Sequence, residues 1–386
     1  MFIKELDCEV FKNINCKNLP SLRRNIVYQF LYELLIVFIP LFTIPYVSRV
    51  LGAENIGLFS YTYAVANYFV LFANLGIKNY GSRTIAMVRN NKEELNRNFS
   101  EILSIHIIFS IIVIFVYLVL LFFFVEDNLV IFLIQSIYVF AAVFDINWFF
   151  FGIEKFKLTV GRNTLVKILS VFLVLVFVKT QTDLWIYALI LALSVFVGQS
   201  VVWFALKQYV SWRRPSWANM KQHIRPLFVL FLPILALSLY KYMDKIMLGS
   251  ISSNVQVGFY ENAEKIINVP MSLIMAFGVV LMPRIANMVT SKDKGEVFKL
   301  IDMSMEAVML LAIAISFGLA GISFVLAPIF FGYEFEECGI LIMGLAVTVP
   351  FMAFANVIRT QYLIPYKEDK IFVVSLFLGA AVNLIV

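Results

Sequence analysis

The stretch ILSIHIIFSIIVIFVYLVLLFFFV, Ile102 to Val125, holds 24 residues without a single Asp, Glu, Lys or Arg. At about 1.5 Å rise per residue, an α-helix of that length covers the roughly 30 Å hydrocarbon core of a bilayer. Comparable runs lie near 26–50, 57–77, 129–151, 164–179, 184–206, 227–249, 256–282, 301–325, 338–363 and 371–386. With 102–125 they make about eleven, the last cut short by the end of the sequence. Over all 386 residues 61% are hydrophobic and 15% charged, whereas a soluble domain carries about 25% charged residues. The predicted fold class is an all-α polytopic membrane protein.

Short cytoplasmic connections carry the excess of Lys and Arg, so the basic residues predict the orientation. They fall in alternate connections: Lys78, Arg83, Arg89, Lys92 and Arg97; Lys155, Lys157 and Arg162; Lys207, Arg213, Arg214, Lys221 and Arg225; Arg284, Lys292, Lys294 and Lys299; Lys367 and Lys370. The intervening connections, around Glu54, Glu126–Asp127, Ser250–Asn254 and Glu334–Glu337, have none, and 179–183 has only Lys179. Residues 1–25 contain no apolar core of a signal peptide and read as a cytoplasmic N-terminal tail. The net charge of +6 is therefore topological, with no basic aromatic-interleaved face to suggest nucleic acid.

Several chemistries are disfavoured. Cys8, Cys16 and Cys338, with His106 and His223, show no metal-ligand spacing, and no cofactor is expected. His106 opens the run quoted above and reads as an interfacial side chain. No GxxxxGK[ST] motif is present, and the longest connection, about 20 residues, leaves no room for a soluble catalytic domain.

An internal repeat organises the chain. Arg49-Val-Leu-Gly52, followed by Ile56-Gly-Leu-Phe59, recurs as Lys245-Ile-Met-Leu-Gly249, followed by Val257-Gly-Phe-Tyr260. Ser82-Arg83-Thr-Ile-Ala86 recurs as Pro283-Arg284-Ile-Ala286. The spacing predicts two parallel six-helix bundles around a central cavity, an arrangement found in transporters. The expected divisions are the tail 1–25, a first bundle 26–210, a cytoplasmic inter-bundle loop 211–226 and an incomplete second bundle 227–386.

Ionisable residues inside spanning helices are costly, so each is a candidate pathway residue. Lys241, Asp244 and Lys245 share one face of the seventh helix, and Glu261, Glu264 and Lys265 lie on the eighth, with Glu261 and Lys265 spaced for an ion pair. Asp145 and Glu33 fall toward the inner half of the fourth and first helices, and Arg49 closes the outer end of the first. Such charges either pair between helices to hold a bundle or line a water-filled pathway. For the seventh and eighth helices the pathway reading is favoured, whereas Lys167 and Arg359 read as snorkelling to an interface. Pro40, Pro45 and Pro233 predict kinks.

The stretch Pro45-Tyr-Val-Ser-Arg-Val-Leu-Gly-Ala-Glu54-Asn-Ile-Gly-Leu-Phe-Ser-Tyr61, with Tyr68–Gly76 and Asn79–Arg83, resembles the Wzx-type O-antigen and capsular polysaccharide flippases of the multidrug/oligosaccharidyl-lipid/polysaccharide exporter superfamily. Phe149–Glu154, Tyr242–Gly249 and Gly258–Ala263 resemble them too. The resemblance implies transfer of an undecaprenyl-pyrophosphate-linked oligosaccharide across the bacterial inner membrane by alternating access, without ATP. Its implied partners are that lipid-linked glycan and membrane lipids, with the polysaccharide polymerase and chain-length machinery beside it. The family has twelve helices where this sequence shows about eleven. On this reading Arg49, Lys241, Lys245 and Lys265 attract the pyrophosphate or acidic sugars. Asp145, Asp244, Glu261, Glu264 and Glu33 balance charge or exchange a coupling cation. The competing readings are a cation-coupled multidrug exporter of the same fold and a membrane-embedded polysaccharide polymerase, the latter needing an outer catalytic loop that is missing from this sequence.

Overall fold

A computed structural model describes residues 19–290, 294–366 and 368–385, with the side chains of 19–40 and of a few scattered positions outside the described set. Residues 1–18 of the expected tail, and the side chain of Glu33, therefore lie outside the described residues. All regular structure among the described residues is helical: α1 Leu19–Asn74, α2 Ile77–Val88, α3 Lys92–Phe124, α4 Leu129–Val143, α5 Asn147–Gly152, α6 Phe156–Phe177, α7 Leu184–Leu206, α8 Trp217–Ile251, α9 Asn254–Thr290, α10 Lys294–Phe331, α11 Cys338–Ala346, α12 Thr348–Val357 and α13 Asp369–Ile385.

Eight of the described segments are long and apolar enough to cross a bilayer. The expected runs 26–50 and 57–77 join into α1, whose continuity breaks at Gly52, with φ 77° and ψ 171°. That backbone region is open essentially to glycine alone. The bend expected from Pro40 and Pro45 thus falls at Gly52, while α8 runs on through Pro226 and Pro233. Run 256–282 lies within α9, and 371–386 corresponds to the shorter apolar helix Lys370–Asn383. α8 starts at Trp217, so much of the 211–226 stretch is helical.

Contacts divide the chain into two compact units, one of Thr43–Glu261 with the segment from Leu376, the other of Asn262–Ser375 with the segment up to Phe42. In the first, α2 packs on α5 and α3, and α4 on α3 and α7. Its core is aromatic: Phe99 stacks on Trp148 at 5.6 Å and meets Phe149 edge-on at 4.9 Å. Gly81 makes room for that indole, since a Cβ there would lie 2.5 Å from the Trp148 ring. α3 begins where Asn91 Oδ1 accepts the N–H groups of Glu93 and Glu94, a cap with two acids in the first turn that suits the helix dipole.

The second unit packs α10 against α11 and α12 around Ile267, Met271, Ile274, Val308 and Val349. Small residues let these helices approach, and hydroxyls hold them: Ser316 donates to the Ala346 carbonyl at 2.8 Å, and Gln361 to Ser304 Oγ at 2.6 Å. A π-helical turn, Ile358–Leu363, carries Gln361. Arg359 within it lies 4.6 Å over the Phe372 ring.

Candidate functional site

The two copies of the repeat meet. A Cβ on Gly57 would fall on the carbonyl of Asn254 and the N–H of Gly258, and one on Gly258 would fall on the carbonyl of Ala53 and the N–H of Gly57. Ala53 is to Asn254 as Gly57 is to Gly258, so each residue touches the counterpart of its own neighbour, as in a two-fold contact. The absence of a side chain at Gly57 and at Gly258 allows backbone to approach backbone. One turn on, Ser60 Oγ donates to Glu261 Oε2 at 2.6 Å across 201 residues of sequence, again joining equivalent positions.

Beside that contact lie the charges singled out in α8 and α9. Lys245 Nζ is 2.5 Å from Glu261 Oε2, with side chains 10% and 16% exposed, so this is a buried ion pair completed by Ser60. Asp244 accepts from the Tyr260 hydroxyl at 2.6 Å and from Asn383 Nδ2 at 2.8 Å, which ties α8 to α9 and α13. Lys241 is different. It is exposed, its ammonium lies 5.4 Å over the Tyr242 ring, and no carboxylate among the described residues pairs with it. Tyr242 in turn meets Tyr68 edge-on at 6.0 Å, and the Tyr68 hydroxyl donates to the Ser238 carbonyl at 3.3 Å. The three charges on one face of α8 therefore differ in their surroundings: Lys245 and Asp244 are bonded to neighbouring segments, and Lys241 lies over the Tyr242 ring with no carboxylate partner among the described residues.

Arg49 is exposed on α1, three residues before the Gly52 break. Around that break, the Tyr46 hydroxyl donates to the Val178 carbonyl at 2.7 Å and Asn55 Nδ2 to the Gln181 carbonyl at 3.0 Å, which fastens the α6–α7 connection to α1. Glu264 and Lys265 are half-buried on the α9 segment that belongs to the other compact unit.

Asp145 sits at the break between α4 and α5, where its Oδ1 accepts the Asn147 N–H at 3.0 Å and the Asn147 amide at 2.7 Å. Asn147 also donates to Gln199 Oε1 at 2.8 Å and accepts from Arg162 Nη2 at 3.0 Å. Arg162, counted above among the basic connection residues, thus turns into the bundle and also donates to the Gly198 carbonyl at 2.8 Å. His106 is fully buried within the protein on α3, well inside the helix that begins at Lys92.

A second polar cluster escaped the sequence reading. His223 Nε2 and Glu101 Oε2 are 2.9 Å apart, the Tyr80 hydroxyl is 2.6 Å from His223 Nδ1, and Asn219 Nδ2 donates to Glu101 Oε1 at 3.1 Å. Nearby on α3, Asn96 Oδ1 and Ser100 Oγ accept the N–H groups of Ser211 and Arg213 at 3.0 Å each. The segment entering α8 is so attached to α3. Glu101 and His223 each stand alone at the edge of an apolar run, where sequence offers no hint that they meet. Among the described residues no three His, Cys, Asp or Glu side chains gather as a metal site would require.

The profile of a family described as polysaccharide biosynthesis protein matches residues 22–289. A protein of Escherichia coli (strain K12) named "Putative O-antigen transporter" is 26% identical over 362 residues, covering 92% of this chain and 86% of that protein. One of the same name from Shigella dysenteriae is 24% identical over 379 residues, covering 94% and 91%. Among solved structures, the lipid II flippase MurJ in an inward closed conformation superposes with a TM-score of 0.70 at 14% identity, over 94% of this chain and 80% of its own. An inward-facing multidrug resistance transporter of the MATE family superposes with a TM-score of 0.64 at 14% identity, over 91% and 88%. The chain therefore has the fold of that transporter group and is a multi-pass membrane protein.

Proposed function

The chain belongs to the polysaccharide biosynthesis protein family, and from that premise we propose that it flips an undecaprenyl-pyrophosphate-linked oligosaccharide from the inner to the outer leaflet of the bacterial cytoplasmic membrane. It does so by alternating access of two six-helix halves, with its N-terminus and basic connections in the cytoplasm. The relatives named O-antigen transporters support a cargo of this class.

The observation that carries the reading is Lys241: an exposed ammonium on α8, beyond the apolar span Trp217–Leu239, lying over Tyr242 and without a carboxylate partner among the described residues. A pyrophosphate supplies the anion, and charge-assisted hydrogen bonds in a medium of reduced dielectric are strong. Arg49 is a further cation for the same anion or for acidic sugars. Asp244, Asp145 and Glu264 balance charge or exchange a coupling cation, and Lys265 and Glu33 keep the roles that their positions suggest.

The test is complementation in a strain lacking its own copy of the gene. Lys241→Ala together with Arg49→Ala should abolish surface polysaccharide while the protein level in the membrane is unchanged. Normal surface polysaccharide from that variant would sink the assignment.

A further inference from the structure

We propose that the exposed face of the first turns of α8, together with the segment that leads into it, binds the headgroups of anionic phospholipids. From Lys207 to Leu232 the sequence carries five Lys or Arg residues and no Asp or Glu. Over that stretch α8 is divided lengthwise. Met220, His223, Leu227 and Phe231, spaced three and four apart, are buried in the first compact unit. Trp217, Lys221, Arg225, Phe228 and Leu232, spaced in the same way, form the opposite face and are exposed.

The order of groups along the exposed face matches the depth profile of a leaflet. An indole, an ammonium and a guanidinium come first, and Phe228, Val229 and Leu232 follow, within the apolar span Trp217–Leu239. At about 1.5 Å rise per residue, Trp217 to Leu232 covers roughly 22 Å, enough to run from the headgroups well into the hydrocarbon. Trp217 is 60% exposed and Trp212, in the lead-in segment, 55%. Tryptophan settles at the headgroup level, and long basic side chains lie along apolar surface with their charge at the phosphates.

The cations are not neutralised by the protein. Arg213 pairs with Glu93 at 3.0 Å, whereas Lys207, Arg214, Lys221 and Arg225 form no ion pair with a carboxylate among the described residues. The segment that bears them is fastened from behind. Ser211 and Arg213 donate their N–H groups to Asn96 and Ser100 of α3, and Asn219 and His223 meet Glu101 on the buried side. The exposed face is thus presented by a fixed backbone, so that little ordering is needed when a ligand arrives. Charge complementarity selects the occupant: a phosphodiester supplies the anion, and its acyl chains lie along the apolar residues that follow Arg225.

The full chain in detergent, titrated with phosphatidylglycerol and with phosphatidylcholine of the same acyl chains, is read by native mass spectrometry. The unaltered protein should retain phosphatidylglycerol in preference. Lys221→Gln with Arg225→Gln should lower that preference about twenty-fivefold, roughly fivefold for each cation removed, and Lys221→Arg should keep it. Lys78→Gln with Arg83→Gln, which removes two exposed cations of α2, should leave it unchanged. If the first double variant does not fold, Lys221→Gln alone should lower the preference about fivefold. No preference in the unaltered protein, or an equal loss from the α2 pair, overturns the proposal. Undecaprenyl pyrophosphate added at the same concentration should leave the retained phosphatidylglycerol in place, and its displacement would overturn the proposal by giving this face to a polyprenyl pyrophosphate instead.

Discussion

Glu101 on α3 and His223 on α8 lie 122 residues apart in sequence and 2.9 Å apart in space, with side chains only 1% and 3% exposed. The bond joins the first turns of α8 to a helix at the far end of the same unit's sequence. Removing one member leaves the other buried without its partner, which is more costly than never having formed the pair. Glu101→Ala should therefore destabilise the protein by about 2–4 kcal/mol. Thermal unfolding in detergent should show a midpoint about 2–5 °C lower. An unchanged midpoint would mean that Asn219 and Tyr80 hold the segment without the pair.

Gly52 stands in a backbone conformation that side chains resist, at φ 77° and ψ 171°. Gly52→Ala should lower stability by about 1–3 kcal/mol. Gly161→Ala and Gly318→Ala serve as contrasts, because a Cβ at either meets nothing within 4 Å. Both lie inside helices, and each should be neutral or stabilising by up to about 1 kcal/mol. Equal behaviour of all three variants in a thermal-shift series would contradict the role given to Gly52.

The Gly57–Gly258 contact predicts a non-additive pair. Either glycine changed to alanine drives a methyl group into the carbonyl of the facing helix, so the helices must separate. The second substitution then meets helices already apart. Stability loss for Gly57→Ala with Gly258→Ala should fall short of the sum of the two single losses by at least about 0.5 kcal/mol. Additive losses would show that the two glycines act in separate contacts.

For Lys245 and Glu261 the expected outcome is a rescue. Lys245→Met alone takes away the ammonium that faces the Glu261 carboxylate, a loss of about 3–5 kcal/mol for a buried charge pair broken on one side. Lys245→Met with Glu261→Gln removes both charges and should regain most of it. Folded yield and thermal midpoint distinguish the two, and a double variant no better than the single one would argue that Lys245 acts on the cargo rather than on Glu261.

Legibility in the sequence follows from how local each constraint is. Spanning helices are readable because a bilayer imposes a minimum apolar length on every one of them, so run 184–206 coincides with α7, while 102–125 covers the later part of α3, which already begins at Lys92. The repeat was readable as spelling, and the structure adds that its glycines touch. Partner choice was not readable. Asp244 meets Asn383 across 139 residues and Glu261 meets Ser60 across 201, and neither asparagine nor serine in an apolar run signals its partner. Arg162 looked like any other basic connection residue, and only the arrival of Asn147 and Gly198 shows why it turns inward. That His106 is wholly covered by neighbouring helices is likewise not legible, because position along a helix says nothing about which face is covered.

The contact of Gly57 with Gly258 is made by peptide groups, which are the same at every position of every protein. A contact built from them has no chemical preference among the side chains around it. Related chains could then vary those side chains widely without disturbing this approach of the two helices, provided that two positions stay empty of side chain.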